Sequence, residues 1–139
     1  MKVRAYMTST VLVAQATDSA REALENMALG DVRHLPVVDD EGRLQGVVSD
    51  RDLRLPAWAA SAAGSEAAFE ALTVGEVMTG FAVSVSPDAD LLEAARIFVE
   101  LRFGVVPVVD EDGELQGMLS AMDVLQAFLD MAPGDDTAR

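Results

Sequence analysis

The chain has no cysteine. It therefore has no disulfide framework, no thiolate metal site and no cysteine nucleophile. It has one histidine, His34, one tryptophan, Trp58, and one lysine, Lys2. Lys and Arg together number 10, against 24 Asp and Glu, for a net charge of −14. That balance excludes the basic stripe that nucleic-acid binding needs and opposes docking on anionic lipid. The opening MKVRAYMT has no apolar signal-peptide core, and no run reaches the ~18 apolar residues of a membrane span. A cytoplasmic protein without nucleic-acid or membrane partners is expected. No G-x-S-x-G or Walker loop occurs, and a lone histidine makes no metal cluster. Neither a catalytic constellation nor a metal site is expected.

What the chain does have is a duplication. An ungapped shift of 71 residues lays Val3–Thr8 on Val74–Thr79 and His34–Ser49 on Val105–Ser120, with Asp52 on Asp123. About 15 of the 51 positions from Val3 to Leu53 are identical at that shift. The identities cluster in PVVD, G-x-L-Q-G and S-x-x-D, in one register, as a tandem repeat requires.

Both copies follow the same course. A polar-capped turn around Thr8 or Thr79 leads into extended residues, Val11–Val13 or Ala82–Val85. A helix follows from Asp18, with Ala20, Ala23, Leu24, Met27 and Ala28 on one face; its copy runs Asp88–Leu101, with acids in the first turn. Two valine-rich runs come next, Leu35–Val38 and Leu44–Val48, or Val105–Val109 and Leu115–Leu119. They are joined by the acidic turns Asp39–Gly42 and Asp110–Gly113, a hairpin signal. A second helix opens near Ser49 or Ser120. The expected fold is α/β (α+β): two β-α-β-β-α repeats, each too small to bury its own faces. Their boundaries are 1–55 and 73–131, joined by a linker at 56–72 and followed by a tail at 132–139. In the linker Pro56 interrupts the preceding helix, and Gly64-Ser65-Glu66 caps a short helix through Leu72. Trp58 packs the linker on the body or serves a dimer contact.

The carrying residues resemble a known family. They are the Met7-Thr8 and Met78-Thr79 openings, the strands RHLPVVD and GVVPVVD, and the junctions GVVSDRD and GMLSAMD. The two copies are similar to cystathionine-β-synthase-type (CBS) domains, paired as a Bateman module, from Val3 to about Met131. SDRDLRL and MDVLQAF extend the resemblance to stand-alone pairs of the acetoin-utilisation regulatory type. The resemblance implies pseudo-twofold symmetry, two clefts between the repeats, an adenine-nucleotide ligand (AMP, ADP, ATP or S-adenosylmethionine), a homodimer, and a sensing role without catalysis or a required cofactor. Carried across, cleft one uses Thr8, Val11, Leu12, Arg33, His34, Pro36, Ser120 and Asp123. Cleft two uses Ser49, Arg51, Asp52, Thr79, Ala82, Val83, Val105 and Pro107.

Several of these residues carry a plainer reading beside the functional one. S-x-x-D puts a hydroxyl and a carboxylate on one face of a helix start, where phosphate and ribose hydroxyls are bound; it is also a capping box. Arg51 and Arg54 suit phosphate or pair with nearby acids. His34 is a ligand residue or a partly exposed strand residue. The acidic turns lack the calcium-loop spacing and read as solvated. Asp50-Arg51 and Arg33-His34 of the first copy become Ala121-Met122 and Gly104-Val105 in the second. Unequal clefts follow, or a purely structural dimerisation module with ligand sites lost.

Overall fold

The computed structural model describes residues 1–54, 65–80 and 83–132. Pro56, Trp58, Gly64, Ala82 and the tail beyond Ala132 lie outside the described residues. After a 3-10 turn at Val3–Ala5 come α1 (Ala20–Gly30), β1 (His34–Val38), β2 (Leu44–Ser49), α2 (Asp50–Leu53), α3 (Ser65–Ala71) and α4 (Val74–Val77). Then follow β3 (Thr79–Gly80), α5 (Leu91–Leu101), β4 (Val105–Val109), β5 (Leu115–Ser120) and α6 (Ala121–Met131).

The long helices start later than the first acid of each motif. Ser19 Oγ accepts from the Glu22 N–H at 3.0 Å and opens α1; Asp90 Oδ1 accepts from the Leu92 N–H at 3.0 Å and opens α5. Asp18 is occupied one step earlier, accepting from the Gln15 N–H, and Asp88 pairs with Arg4. Of the expected α1 face, Ala20, Ala23 and Met27 are buried and Leu24 is half-buried, but Ala28 is exposed. At roughly 100° per residue it lies a quarter-turn beyond the stripe.

The hairpin turns close on themselves. Asp39 Oδ1 accepts from the Glu41 and Arg43 N–H groups, both at 2.9 Å, and Asp110 Oδ1 accepts from the Asp112 N–H. Gly42 and Gly113 follow at φ 81° and 84°, a region that costs glycine nothing. β1 and β2 pair antiparallel, with His34 opposite Ser49 and Pro36 opposite Val47.

The extended run expected before each first helix shrinks to one bridge residue. Ala14 pairs parallel to Val37, and Val85 to Val108. Ala14 donates to Pro36 O and accepts from the Val38 N–H; Val85 repeats this with Pro107 and Val109. The next rung would need an N–H from Pro36 or Pro107, which proline lacks.

The chain divides into two compact units. The first holds Met1–Val11, Val83–Asp112 and Gln116–Arg139; the second holds Leu12–Ala82 and Gly113–Leu115. Each opening segment thus packs with the body of the other sequence copy. In the first unit Lys2 bridges to Asp90 and Thr8 to Met118; in the second Thr73 bridges to Ser19 and Thr79 pairs with Val47. Each pairing recurs at the 71-residue shift. The cores follow suit. Val3 is fully buried with Leu91, Phe98, Val106, Val108 and Leu119, and Val74 with Met27, Leu35, Val37, Val48 and Leu53. A fully buried aliphatic side chain of this kind contributes about 1.5–3 kcal/mol.

Candidate functional site

Each unit carries one strand-to-helix junction, and each junction is a closed capping box. In the second unit Ser49 Oγ accepts from the Asp52 N–H at 3.1 Å, and Asp52 Oδ2 accepts from the Ser49 N–H at 3.0 Å. In the first unit the same bonds join Ser120 and Asp123 at 3.1 and 2.8 Å. The flanking amides are used too: Asp50 N–H donates to Arg33 O at 2.9 Å, and Ala121 N–H to Gly104 O at 3.0 Å. The exposed first-turn donors expected from sequence therefore narrow to the N–H of Arg51 and of Met122. Each aspartate keeps one carboxylate oxygen, Oδ1, without a protein partner among the described residues. All four side chains are half-buried, within reach of solvent. A carboxylate held by its backbone bond, with one oxygen outward, can accept from a diol without further ordering.

The opening threonines lie beside these junctions. In the second unit β3 adds to β2, with Thr79 opposite Val47, two residues before Ser49. In the first, Thr8 exchanges both backbone bonds with Met118, at 2.9 and 3.0 Å, two residues before Ser120. Thr8 and Thr79 are exposed.

The remaining sequence-derived residues divide by unit. With Ser49, Arg51, Asp52 and Thr79, the second unit holds Leu12, Arg33, His34 and Pro36. The first holds Thr8, Val11, Val83, Val105, Pro107, Ser120 and Asp123. Both cleft sets therefore draw residues from both units. Pro36 and Pro107 are buried, Val11 and Val105 half-buried, and Leu12 and Val83 exposed. Ala82 lies outside the described residues. The cations among these candidate residues lie in the second unit. Arg33, His34 and Arg51 are all exposed around the end of β2. Arg54 meets Asp50 at 4.0 Å, as the plainer reading of that pair has it, while Arg51 has no ion pair among the described residues. The matching places in the first unit are Gly104, Val105 and Met122, which are uncharged.

Sequence reasoning missed two residues that build this arrangement. A Cβ on Gly46 would stand 2.5 Å from Thr79 O, and one on Gly117 would stand 2.4 Å from Thr8 O. Only glycine lets the opening segment approach the strand so closely. The signal was in view, since L-Q-G occurs in both copies, but a glycine within a strand does not name its neighbour.

A family model described as CBS domain matches residues 3–55 and 74–130. The chain belongs to the CBS-domain family. It is similar along nearly its whole length to CBSX2 of Arabidopsis thaliana, solved in complex with AMP: 35% identity, TM-score 0.80, covering 94% of this chain and 97% of that one. An AcuB-type protein of Vibrio cholerae, named for acetoin utilization, aligns at 30% identity and TM-score 0.77, covering 94% and 92%. The mixed α/β fold of two CBS repeats and the likeness to stand-alone pairs, both expected from sequence, are thus shown. A CBS domain-containing protein of Dictyostelium discoideum is 28% identical over 91% of this chain and 90% of its own length. Other curated relatives are longer: the chain spans 58% of the Arabidopsis CBSX2 sequence and 19% of the Thermus thermophilus magnesium transporter MgtE. No helix among the described residues is long and apolar enough to cross a membrane.

Proposed function

We propose that the chain is a non-catalytic, cytoplasmic regulatory module that senses an adenosine-containing nucleotide (AMP, ADP, ATP or S-adenosylmethionine) and acts as a homodimer. The observation that carries this reading is the chain-long likeness to CBSX2, whose structure holds AMP. The paired junctions supply the chemistry. Oδ1 of Asp123 accepts from the ribose hydroxyls in cleft one, where Thr8, Val11, Leu12 and Pro36 frame the base and Arg33 and His34 meet phosphate. Oδ1 of Asp52 does the same in cleft two, with Ser49, Arg51, Thr79, Ala82, Val83, Val105 and Pro107. Such sites are mostly apolar, with few placed polar groups.

Ligand that binds only the native state raises its stability, by about 2.7 kcal/mol at a hundredfold excess over Kd. Thermal shift with AMP, ADP, ATP and S-adenosylmethionine is expected to show a rise of several degrees with at least one of them. No shift with any of the four at millimolar concentration would end the nucleotide reading. Arg33→Ala is expected to weaken ATP binding more than adenosine binding, because a guanidinium fork serves phosphate; equal losses by calorimetry would remove that role.

A second reading has its own observation. Both capping boxes are closed by protein atoms alone. Ser49, Asp52, Ser120 and Asp123 thus have a structural duty in a module that only dimerises, and the thermal-shift panel separates the two readings.

A further inference from the structure

The two junctions share a hydroxyl and a carboxylate and differ in what stands beside them. His34 lies opposite Ser49 in the β1–β2 ladder. The Asp50 N–H donates to Arg33 O just outside that pair. His34 and Ser49 are therefore a non-hydrogen-bonded pair, with Cβ atoms about 4.5–5.5 Å apart on one face of the sheet. Pro36 and Val47 continue the same face, since side chains two apart share it, and Thr79 joins opposite Val47. Leu35 and Val48, on the other face, are buried in the core. Arg51 sits between Ser49 and Asp52 in the following turn, and Arg33 adjoins Asp50. Arg33, His34 and Arg51 are exposed and make no ion pair among the described residues.

The first unit keeps Ser120 and Asp123 but has Val105 where His34 stands, Met122 where Arg51 stands and Gly104 where Arg33 stands. Its Ala121 N–H donates to Gly104 O at 3.0 Å, as that of Asp50 does to Arg33 O at 2.9 Å. The backbone is thus matched, and the difference lies in the side chains. Val105 is half-buried and Met122 is 71% exposed. Arg102, the next cation along the chain, ends α5 at φ 59°, three residues before β4. Its counterpart Asp31 ends α1 in the same way, and neither belongs to the paired strands.

We propose that the two junctions sort adenosine compounds by their 5′ substituent. The second unit's junction takes the phosphate chain of ATP or ADP. The first unit's junction takes an adenosine whose 5′ group carries no phosphate, such as a thioether or a sulfonium. A carboxylate that holds a ribose also repels phosphates attached to it. Beside Asp52 a guanidinium and an imidazole offset that repulsion and donate to phosphate oxygens. Beside Asp123 the matching side chains are apolar, and a phosphate chain against them leaves its charge unpaired. An alkyl thioether buries apolar surface against the same valine and methionine, and a sulfonium is attracted by the carboxylate besides.

This deepens the nucleotide reading above, on which it rests, and moves Arg33 and His34 from the ligand of Asp123 to that of Asp52. Titration calorimetry of the full chain is expected to show one ATP site per chain, with 5′-methylthioadenosine still binding once that site is filled. The double variant His34→Val/Arg51→Met copies the first junction onto the second. It is expected to lower ATP affinity at least about tenfold more than 5′-methylthioadenosine affinity. Met122→Arg is expected to add ATP binding at the first junction. Should the double variant fail to fold by circular dichroism, Arg51→Met gives the same reading. Two equivalent ATP sites in the wild type, equal losses of both ligands in the double variant, or no gain of ATP binding in Met122→Arg would overturn the sorting and leave the nucleotide reading standing. A wild type that binds neither ligand overturns both.

Discussion

A Gly117→Ala chain is expected to melt roughly 10 °C below the wild type, from about 2–3 kcal/mol of overpacking. The added methyl would stand 2.4 Å from the Thr8 carbonyl oxygen and 3.3 Å from the Met7 sulfur. A thioether swings aside cheaply. The carbonyl does not, because Thr8 O accepts from the Met118 N–H at 3.0 Å and moving it breaks the pair that docks the opening segment. Gly46→Ala is expected to behave alike, its methyl 2.5 Å from Thr79 O. Gly104→Ala is the control, since nothing lies within 4 Å of its Cβ position. Calorimetric melts in which Gly117→Ala and Gly104→Ala coincide would show that the close approach is not what these glycines are for.

The second large effect separates cap from ligand at the same carboxylate. Asp123→Ala deletes the acceptor for the Ser120 N–H and is expected to cost about 1 kcal/mol of stability. Asp123→Asn keeps a side-chain oxygen there and is expected to melt close to the wild type. On the nucleotide reading it still loses affinity, because a neutral amide replaces the charged acceptor of a ribose hydroxyl, roughly tenfold or more. Asp52→Asn is expected to do the same at the other cleft. Titration calorimetry with unchanged affinity and stoichiometry in both asparagine variants would sink the assignment of these carboxylates to ribose.

The repeat architecture was legible because duplicated identities in one register, PVVD with S-x-x-D, are a covalent record. They put the junctions at Ser49 and Ser120 before any coordinates. The closed capping boxes were legible as one of two readings, since S-x-x-D encodes a local bond that needs only four residues. The partners of the openings were not. Thr8 lies 110 positions before Met118, and nothing local in VRAYMT says which strand receives it. The helix starts were misplaced because each motif offers several possible caps. Asp18 is drawn to the Gln15 N–H and Asp88 to Arg4, contacts the helical period does not report.

The exchange of opening segments also sets an order in time. Val3 donates to the carbonyl of Ala89 and is buried with residues from Val85 onward. At ~5–20 residues per second of synthesis, its partners from Val85 to Ala127 emerge on the order of 4–25 s later. Val74, by contrast, is buried with residues already made, from Ala14 to Leu53. The second unit can therefore condense on the ribosome while the first eleven residues wait outside as a loose tether. Val3, Tyr6 and Met7 then close the first unit last, against the entropy of a long loop. During synthesis the second unit then lacks only Gly113–Leu115, while the first unit has its opening segment and none of its body.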